Sequence, residues 1–410
     1  MDARISRSLR LGSGTQTLRI EFHPEVGVDR SVCTDLLFSM LTTDELSYRI
    51  ALTLTKGIGP VIARKLLSLM GSAQAIFSDR ERFLQTVGSV SHKLLDALYD
   101  PDLIPRAKEI ATWVNKQNIG MYGIDQSDYP SLLSQCADAP FLLYSKGRSD
   151  LFERKHILAV VGTRNISPYG RECCKQIIRG LAQTLPDLVI VSGLAYGVDV
   201  EAHKNALDNG LDTVAVLAHG LDRIYPYTHR DVAKAIVGQG CLVTEYPCKT
   251  NPDRYNFVSR NRIIAGLSHA TLIVESSEKG GSLITAKLST EYNRETLAVP
   301  GRISDKYSSG CNALIANSEA TCVTGATDIL DYLNWGGKQV NKVCKKEKPA
   351  LPSDPDSAKI VELLYQKGPM QVDQLGAILG ISPAPLLNTL FELEFEGYVN
   401  SLPGGIYDLC

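Results

Sequence analysis

The sequence lacks the two glycine-rich motifs that mark most nucleotide-binding domains. GxGxxG and GxxxxGK[ST] are both missing from its 410 residues, which removes the usual support for a dinucleotide cofactor and for P-loop ATP hydrolysis. A GxSxG serine elbow and a His/Cys/Asp cluster with metal-ligand spacing are missing as well. No catalytic set assembles from the motifs, so we predict no cofactor, no metal and no enzymatic activity.

Long apolar runs and CxxC cysteine pairs are also missing. No apolar run approaches the length that spans a bilayer. The arginines of MDARISRSLRLGSGTQ precede no apolar segment of the kind that a secretory signal needs. The ten cysteines include no CxxC pair, so we interpret them as reduced thiols. These absences predict a cytoplasmic protein without a membrane contact.

The charge is nearly balanced overall but unevenly placed. Residues 153–335 contain 19 basic and 19 acidic side chains, so binding of a polyanion there requires basic groups gathered on one face. Residues 358–410 contain two lysines and six acids, and their third predicted helix carries Glu392, Glu394 and Glu396 without a lysine or arginine. Such a helix is unsuited to a DNA groove, so we predict a protein contact or a structural role for it.

Hydrophobic periodicity divides the chain into five parts. Residues 1–44 have a weak polar pattern and are predicted to be a disordered extension. Residues 45–148 are predicted to form short helices followed by a connection, and they contain a KGIGP turn of the helix-hairpin-helix type. Apolar strands alternate with amphipathic helices in 149–335, which predicts an α/β, doubly wound, mainly parallel sheet. Residues 336–357 are typical of a linker, and three helices with a hairpin in 358–410 indicate a winged helix.

The most informative stretch is LVIVSGLAYGVDVEAH at 188–203. A buried parallel strand ends at Ser192, a loop of small residues reaches Gly197, and a helix follows. Such a junction directs backbone N–H groups and the positive end of a helix dipole at one place, which suits a phosphate. The phosphate could belong to a nucleotide or to a nucleic acid.

Similar loops follow other predicted strands. Gly162 and Thr163 form a turn with Arg164, whose guanidinium can hold a phosphate through two hydrogen bonds. A Gly280-Gly281-Ser282 turn opens another helix and supplies a second group of amides. Because ligands of parallel sheets lie outside the carboxyl ends of the strands, we expect these loops to share one site.

Arginines and aromatic residues are concentrated between 254 and 262, in RYNFVSRNR. We expect this run to form a further loop at the same edge of the sheet. Aromatic side chains would stack on bases while arginines hold the backbone, as in many single-strand binders. The alternative is that Arg260 and Arg262 pair with acids inside the domain.

Eight motifs follow one another between 159 and 315. They read AVVGTR, VSGLAYGVDVEAH, TVAVLAHGLDRIYP, LVTEYP, SRNRIIAGLS, GGSLITA, AVPGR and GCNALI. In this order they resemble the DNA processing protein A (DprA/Smf) family. YPSLL and DAPFLLYSKG, within 129–147, extend the resemblance towards the N-terminus.

The resemblance implies a non-catalytic single-stranded DNA-binding protein with an extended Rossmann-like core between a small helical domain and a winged helix. Family members protect strands in natural transformation, load the RecA recombinase and are typically dimeric. Single-stranded DNA, RecA and a second copy bound through the Rossmann-like domain are therefore the expected partners. With Thr163, Arg254, Phe257 and Gly280 added from the motifs themselves, the expected DNA site comprises Gly162, Thr163, Arg164, Ser192, Gly193, Leu194, Ala195, Tyr196, Gly197, Arg254, Phe257, Arg260, Asn261, Arg262, Gly280, Gly281 and Ser282.

Two other functions stay open. Rossmann-like proteins with Gly-Gly loops include nucleotide phosphoribohydrolases, whose PGGxGTxxE motif ends in a catalytic glutamate. The corresponding stretch here, EKGGSLITAKLS, has Lys287 and no acid before Glu291. The third hypothesis is a nucleotide sensor that uses the same amide-rich loops without binding a strand.

Overall fold

The computed structural model describes residues 43–88, 90–336, 352, 354–402 and 406–409. The chain forms two compact units, Met1–Trp335 and Gly336–Cys410. The predicted extension (1–44) and the predicted linker (336–357) lie largely outside the described residues. Helices begin at Thr43, inside the predicted extension, and at Pro355, inside the predicted linker.

Six short helices open the described part of the first unit. They are α1 (Thr43–Leu54), α2 (Pro60–Met70), α3 (Ala73–Ser78), α4 (Arg80–Val87), α5 (His92–Leu98) and α6 (Leu103–Lys116). Ser72, Asp79 and Ser91 cap α3, α4 and α5, since each side chain accepts a hydrogen bond from a first-turn N–H group. The apolar faces of the helices form one buried cluster that includes Ile50 and Phe83.

A nine-stranded sheet has the order β1-β2-β6-β5-β4-β3-β7-β8-β9. Its strands are β1 (Gly120–Gly123), β2 (Leu142–Gly147), β3 (Ile157–Val161), β4 (Val189–Ser192), β5 (Asp212–Val216), β6 (Cys241–Thr244), β7 (Ala270–Ile273), β8 (Glu295–Ala298) and β9 (Thr321–Cys322). Strands β3 to β9 are parallel to one another, whereas β1 and β2 pair antiparallel with their neighbours. The predicted mainly parallel sheet is confirmed.

Helices cover both faces of this sheet. They are α7 (Ser131–Ser134), α8 (Pro168–Thr184), α9 (Val198–Asp208), α10 (Arg230–Gln239), α11 (Arg254–Gly266), α12 (Ser282–Glu291), α13 (Ser309–Ala316) and α14 (Ala326–Tyr332). Alternate residues of β3 enter different core clusters, Ala159 and Val161 on one face and Leu158 and Val160 on the other. This two-sided burial is the reason that the parallel strands are almost entirely apolar.

The predicted boundary between 148 and 149 does not separate two structural cores. Strand β2, from the end of the predicted N-terminal region (45–148), pairs with β6 and places Tyr144 opposite Thr244. Phe141, Leu142 and Tyr144 also pack in the cluster of the N-terminal helices. The pairing joins segments that are far apart in sequence, so local periodicity does not reveal it.

The order of the strands places a crevice at the centre of the sheet. Strands β4, β5 and β6 extend from one side of β3, and β7, β8 and β9 extend from the other side. The connections therefore change direction between β3 and β7. Open α/β sheets bind ligands outside the carboxyl ends of the strands at such a point.

The second unit is a winged helix, as predicted. It contains α15 (Pro355–Lys367), β10 (Met370–Gln371), α16 (Val372–Leu379), α17 (Pro383–Phe395), β11 (Val399–Leu402) and β12 (Ile406–Leu409), with the strands in the order β10-β12-β11. Leu386, Leu390 and Leu393 of α17 enter its core. Among the described helices no single one is long and apolar enough to cross a membrane, and the bent pair α16 and α17 meets the length and composition only when taken together.

Candidate nucleic-acid interface

The first strand–helix junction is closed by a buried glutamate. Glu275, two residues after β7, is 3% exposed, and its carboxylate accepts hydrogen bonds from the Ser167 N–H (2.8 Å) and the Ser167 hydroxyl (2.5 Å). Ser167 caps α8 and accepts a hydrogen bond from the Gly170 N–H. In dinucleotide-binding Rossmann domains the pyrophosphate lies at this helix N-terminus. A carboxylate occupies that place here, which argues against a dinucleotide.

The loops after β3 and β4 pack directly against each other. Gly197 has a φ of +79°, and a Cβ atom there would lie 2.1 Å from the Thr163 carbonyl oxygen, so the contact requires glycine. The Val198 N–H donates to the same oxygen at 3.1 Å. One amide at the start of α9 is therefore used inside the protein and is not available to a phosphate. The Thr163 N–H donates to the Glu275 carbonyl at 2.7 Å, which fixes this loop to the end of β7.

Arg260 lies beneath the glycine loop instead of on its surface. The residue is 3% exposed, and its Nη1 donates to the Val216 carbonyl at 2.5 Å. A Cβ atom on Gly193 would lie 1.9 Å from Arg260 Nη1 and 2.5 Å from Asp199 Oδ2, so glycine leaves room for both charged groups. Burial lowers the pKa of the Arg260 guanidinium and raises the pKa of Asp199, and each charge counteracts the shift of the other.

The arginine-rich segment is a helix, so the predicted loop is wrong. Asp253 begins α11 by accepting a hydrogen bond from the Tyr255 N–H at 2.8 Å. Arg254, Phe257 and Asn261 share one face at i, i+3 and i+7. Arginine on the buried side of α11 interrupts the apolar periodicity that normally reveals a helix.

Arg164, which is exposed, and Phe257, which is half-buried, form the centre of the candidate interface. The Arg164 guanidinium lies 5.1 Å from the centroid of the Phe257 ring, a cation–π distance. Tyr225 lies 5.8 Å from the same ring, between centroids. Within the described ranges, neither Arg164 nor Arg254 forms an ion pair with an acid, and both are exposed. Their charges are therefore available to an anionic ligand.

Asn261 connects α11 to the predicted Gly280–Ser282 turn. Its Nδ2 donates to the Gly281 carbonyl at 3.5 Å. Gly281 is exposed with open space beside it, whereas Gly280 is packed against Ser276. Ser282 is buried and its hydroxyl donates to the Ser276 hydroxyl at 2.9 Å. The structure places the Gly281 backbone at the interface and the Ser282 hydroxyl inside the protein.

Arg262 is engaged inside the protein. Its Nη2 pairs with Glu245, and its Nη1 donates to the Asp138 carbonyl at 2.6 Å. Burial raises the pKa of Glu245, and the charge of Arg262 opposes that rise. The alternative stated above, that Arg262 pairs with an internal acid, is correct, and Arg262 fixes α11 to the segment before β2.

Only part of the Ser192–Gly197 loop reaches the surface. The side chains of Ser192 and Leu194 are fully buried, and the Ser192 hydroxyl donates to the Val160 carbonyl at 2.6 Å. Tyr196 is 48% exposed, and its ring lies 5.1 Å from the ring of His229. Ala195 and Gly197 are partly exposed beside it. The surface part of this loop is thus Ala195–Gly197.

The titratable groups behind the loop do not form a reactive cluster. His203 is fully buried with Nδ1 2.7 Å from the Thr213 hydroxyl, and burial lowers its pKa to about 3. It is therefore neutral and internal at physiological pH. In the part of the chain that the structure describes, no three His, Cys, Asp or Glu residues are placed to hold a metal ion.

Sequence reasoning did not single out Tyr227 in the loop after β5. Tyr227 is 71% exposed, and its hydroxyl accepts a hydrogen bond from Arg230 Nη1 at 3.1 Å. Tyr225, two residues earlier, is the residue that contacts Phe257. The signal is present in YPYTHR (225–230), but a tyrosine after a strand is equally typical of an ordinary turn.

Family models match most of the described chain. The model for DNA recombination-mediator protein A matches residues 120–334, and the model for the DprA winged helix domain matches residues 345–405. The chain belongs to the DNA recombination-mediator protein A family. The resemblance of the eight motifs is thereby confirmed.

Individual relatives agree with this family assignment. Protein Smf of Synechocystis sp. is 30% identical over 398 residues, which cover 90% of this chain and 99% of the relative. DNA processing protein DprA of Streptococcus pneumoniae is 40% identical over 214 residues, which cover 52% of this chain and 74% of the relative. The X-ray structure of DprA from Streptococcus pneumoniae has a TM-score of 0.56 and 31% identity, covering 71% of this chain and 98% of that chain.

Proposed function

We propose that this protein binds single-stranded DNA along the carboxyl edge of its large sheet, without reading the base sequence. The observation that carries the proposal is the exposed Arg164 guanidinium on the Phe257 ring, with Arg254 on the same face of α11. A cation beside an aromatic ring at an open edge suits a phosphate followed by an unpaired base. Membership of a family of DNA-processing proteins supports this ligand.

The closed junction at Glu275 favours a polymer over a nucleotide cofactor. Its carboxylate occupies the helix N-terminus that would receive a pyrophosphate and would repel one. The amides and cations that remain accessible are spread over several loops, from Arg164 to Gly281. A ligand with many phosphates can contact separated groups, whereas a mononucleotide contacts only a few of them.

The hydrolase alternative has less support. Lys287 of α12 stands at the position where the PGGxGTxxE motif of phosphoribohydrolases has its catalytic glutamate. The Lys287 Nζ lies 3.7 Å from a Glu291 carboxylate oxygen in a surface ion pair. Release of free base from nucleoside monophosphates would favour the hydrolase. Binding of mononucleotides without binding of single strands would favour the sensor.

We further propose that the DNA-bound protein acts with a RecA-type recombinase in the cytoplasm, in natural transformation or recombination, and that two copies join through the Rossmann-like unit. The support is the family, whose model is that of a recombination mediator. Sedimentation velocity tests for the dimer. Faster assembly of RecA filaments on single strands in the presence of the protein tests the partnership, and no acceleration would contradict it.

Fluorescence anisotropy tests the DNA ligand. We expect labelled oligo(dT) and mixed-sequence single strands to bind with similar affinity and more tightly than duplex, with a steep loss of affinity as salt rises. Arg164→Ala combined with Arg254→Ala should weaken all single strands alike and reduce the salt slope by about 0.7 for each lost phosphate contact.

Lys155→Ala is the matched control for that variant. Lys155 is exposed and lies before β3, at the opposite edge of the sheet. Its removal should leave the affinity unchanged. Arg260→Ala is unsuitable as a binding test because its side chain is buried. Unchanged affinity of the Arg164/Arg254 double variant would contradict the proposed site.

A further inference from the structure

We infer that the turn after β5 forms a second base-stacking position, built from Tyr227 and Arg230. The inference rests on the proposed function, because it extends the path of the same single strand beyond Arg164 and Phe257. The ligand at this position is an unpaired nucleobase of any identity.

The first observation is a large aromatic ring that is exposed and yet held in place. Tyr227 lies in a 3₁₀ turn, Tyr227–His229, immediately before α10. The guanidinium of Arg230 lies 5.8 Å from the centroid of the Tyr227 ring, and its Nη1 donates to the Tyr227 hydroxyl. Since the cation fixes the ring, stacking a base on the ring loses little conformational freedom.

The second observation is continuity with the candidate interface. His229, in the same turn, contacts the Tyr196 ring at 5.1 Å between centroids and places Nδ1 2.9 Å from the Leu194 carbonyl oxygen. On the other side, Tyr225 contacts Phe257, which carries Arg164. Aromatic side chains thus connect α11 with the loops after β5 and β4. Phe257 is half-buried and His229 is buried, whereas Tyr225, Tyr227 and Tyr196 are exposed.

The third observation concerns charge. Arg230 is exposed and forms no ion pair with an acid among the residues that the structure describes, so it can receive the phosphate adjoining the stacked base. Asp231, the next residue, lies 3.9 Å from Lys234 and is balanced by it. An aromatic ring with a free arginine repeats the chemistry of Phe257 with Arg164. Stacking is tolerant of sequence because every base has a π face.

Two labelled strands of equal length separate stacking from phosphate contacts. One is oligo(dT) and the other is an abasic strand with the same number of phosphates, both titrated by anisotropy against the full chain across a range of salt. Tyr227→Ala should bind oligo(dT) about tenfold more weakly and the abasic strand unchanged. Its salt slope should stay that of the native protein, because no phosphate contact is lost.

Three companion variants define the role of each group. Tyr227→Phe keeps the ring and should restore the native affinity for oligo(dT). Arg230→Ala should weaken both strands and reduce the salt slope. Tyr332→Ala is the matched control, because Tyr332 is 45% exposed and its hydroxyl donates to Glu295, the first residue of β8, at the opposite edge of the sheet. It should leave both affinities unchanged.

The results of these titrations distinguish failure of the stacking position from failure of the proposed function. Native affinity of Tyr227→Ala for oligo(dT), or an equal loss on both strands, would overturn the stacking position and leave the proposed function intact. An equal loss in Tyr332→Ala would do the same. If the native protein binds no single strand at all, the proposed function fails first and the stacking position fails with it.

Discussion

Two arginines of one helix have opposite roles. Arg254 begins α11 on the exposed face, whereas Arg260 is buried against the Gly193 loop and near Asp199. The residue type is the same, and only the position around the helix axis distinguishes a ligand contact from an internal support. Arg260 therefore acts as a positioning residue for the loop that it supports.

We predict that Arg260→Ala lowers the free energy of unfolding by about 3 kcal/mol, because Asp199 would keep a buried charge without its counterion. Arg164→Ala, at an exposed position, should change it by less than about 0.5 kcal/mol. Urea denaturation followed by circular dichroism measures both. Equal stability of the two variants would show that Arg260 is not a structural support.

Helix α17 is the element that departs most from its usual role. A winged helix that reads DNA places basic side chains of this helix in the groove. Here Phe391 and Phe395 are 69% and 88% exposed in a stripe with Leu387, and Glu392, Glu394 and Glu396 accompany them. The surface of α17 is apolar and acidic, which disfavours contact with phosphate.

We accordingly predict that Phe391→Ser combined with Phe395→Ser leaves the affinity for single-stranded and duplex DNA within about twofold of the native value, since α17 contributes no phosphate contact. Anisotropy titrations of the variant beside Arg164→Ala, which should lose affinity, provide the comparison. A marked loss in the phenylalanine variant would place DNA on α17 and contradict the charge argument.

At the scale of the whole molecule, the proposed interface belongs to one compact unit. Every candidate DNA residue lies between Gly162 and Ser282, within Met1–Trp335. The winged helix forms its own core from residues such as Leu386 and Leu390 and is acidic.

A chain ending at Trp335 should therefore bind oligo(dT) with an affinity within about twofold of that of the full chain, and with the same salt slope. The thermal unfolding of this shorter chain, followed by circular dichroism, should be a single cooperative transition. The full chain measured in parallel is the control. Loss of binding by the shorter chain would show that the winged helix takes part in DNA binding.

The fold was predictable where its cause is local. The buried runs around Ile157–Val161 and Val189–Ser192 are apolar because both faces of the sheet are covered, and this pattern is legible in the sequence. The pairing of β2 with β6 was not predictable, because it depends on contacts between distant segments. Helix α11 escaped prediction because Arg260 and Arg262 are buried beside its apolar residues and interrupt their periodicity.

The sequence by itself determined the family, the parallel sheet, the winged helix and the set of loops at one edge, because motif order and periodicity are local properties. Only the tertiary structure decided which candidate side chains are accessible. It placed Ser192, Leu194, Arg260, Arg262 and Ser282 inside the protein and Arg164, Tyr196, Arg254 and Gly281 on its surface. It also brought the Glu275 carboxylate to the helix that Ser167 caps and brought Tyr225 against Phe257 of the predicted site. Accessibility depends on the packing of segments distant in sequence, and no spacing along the chain encodes it directly.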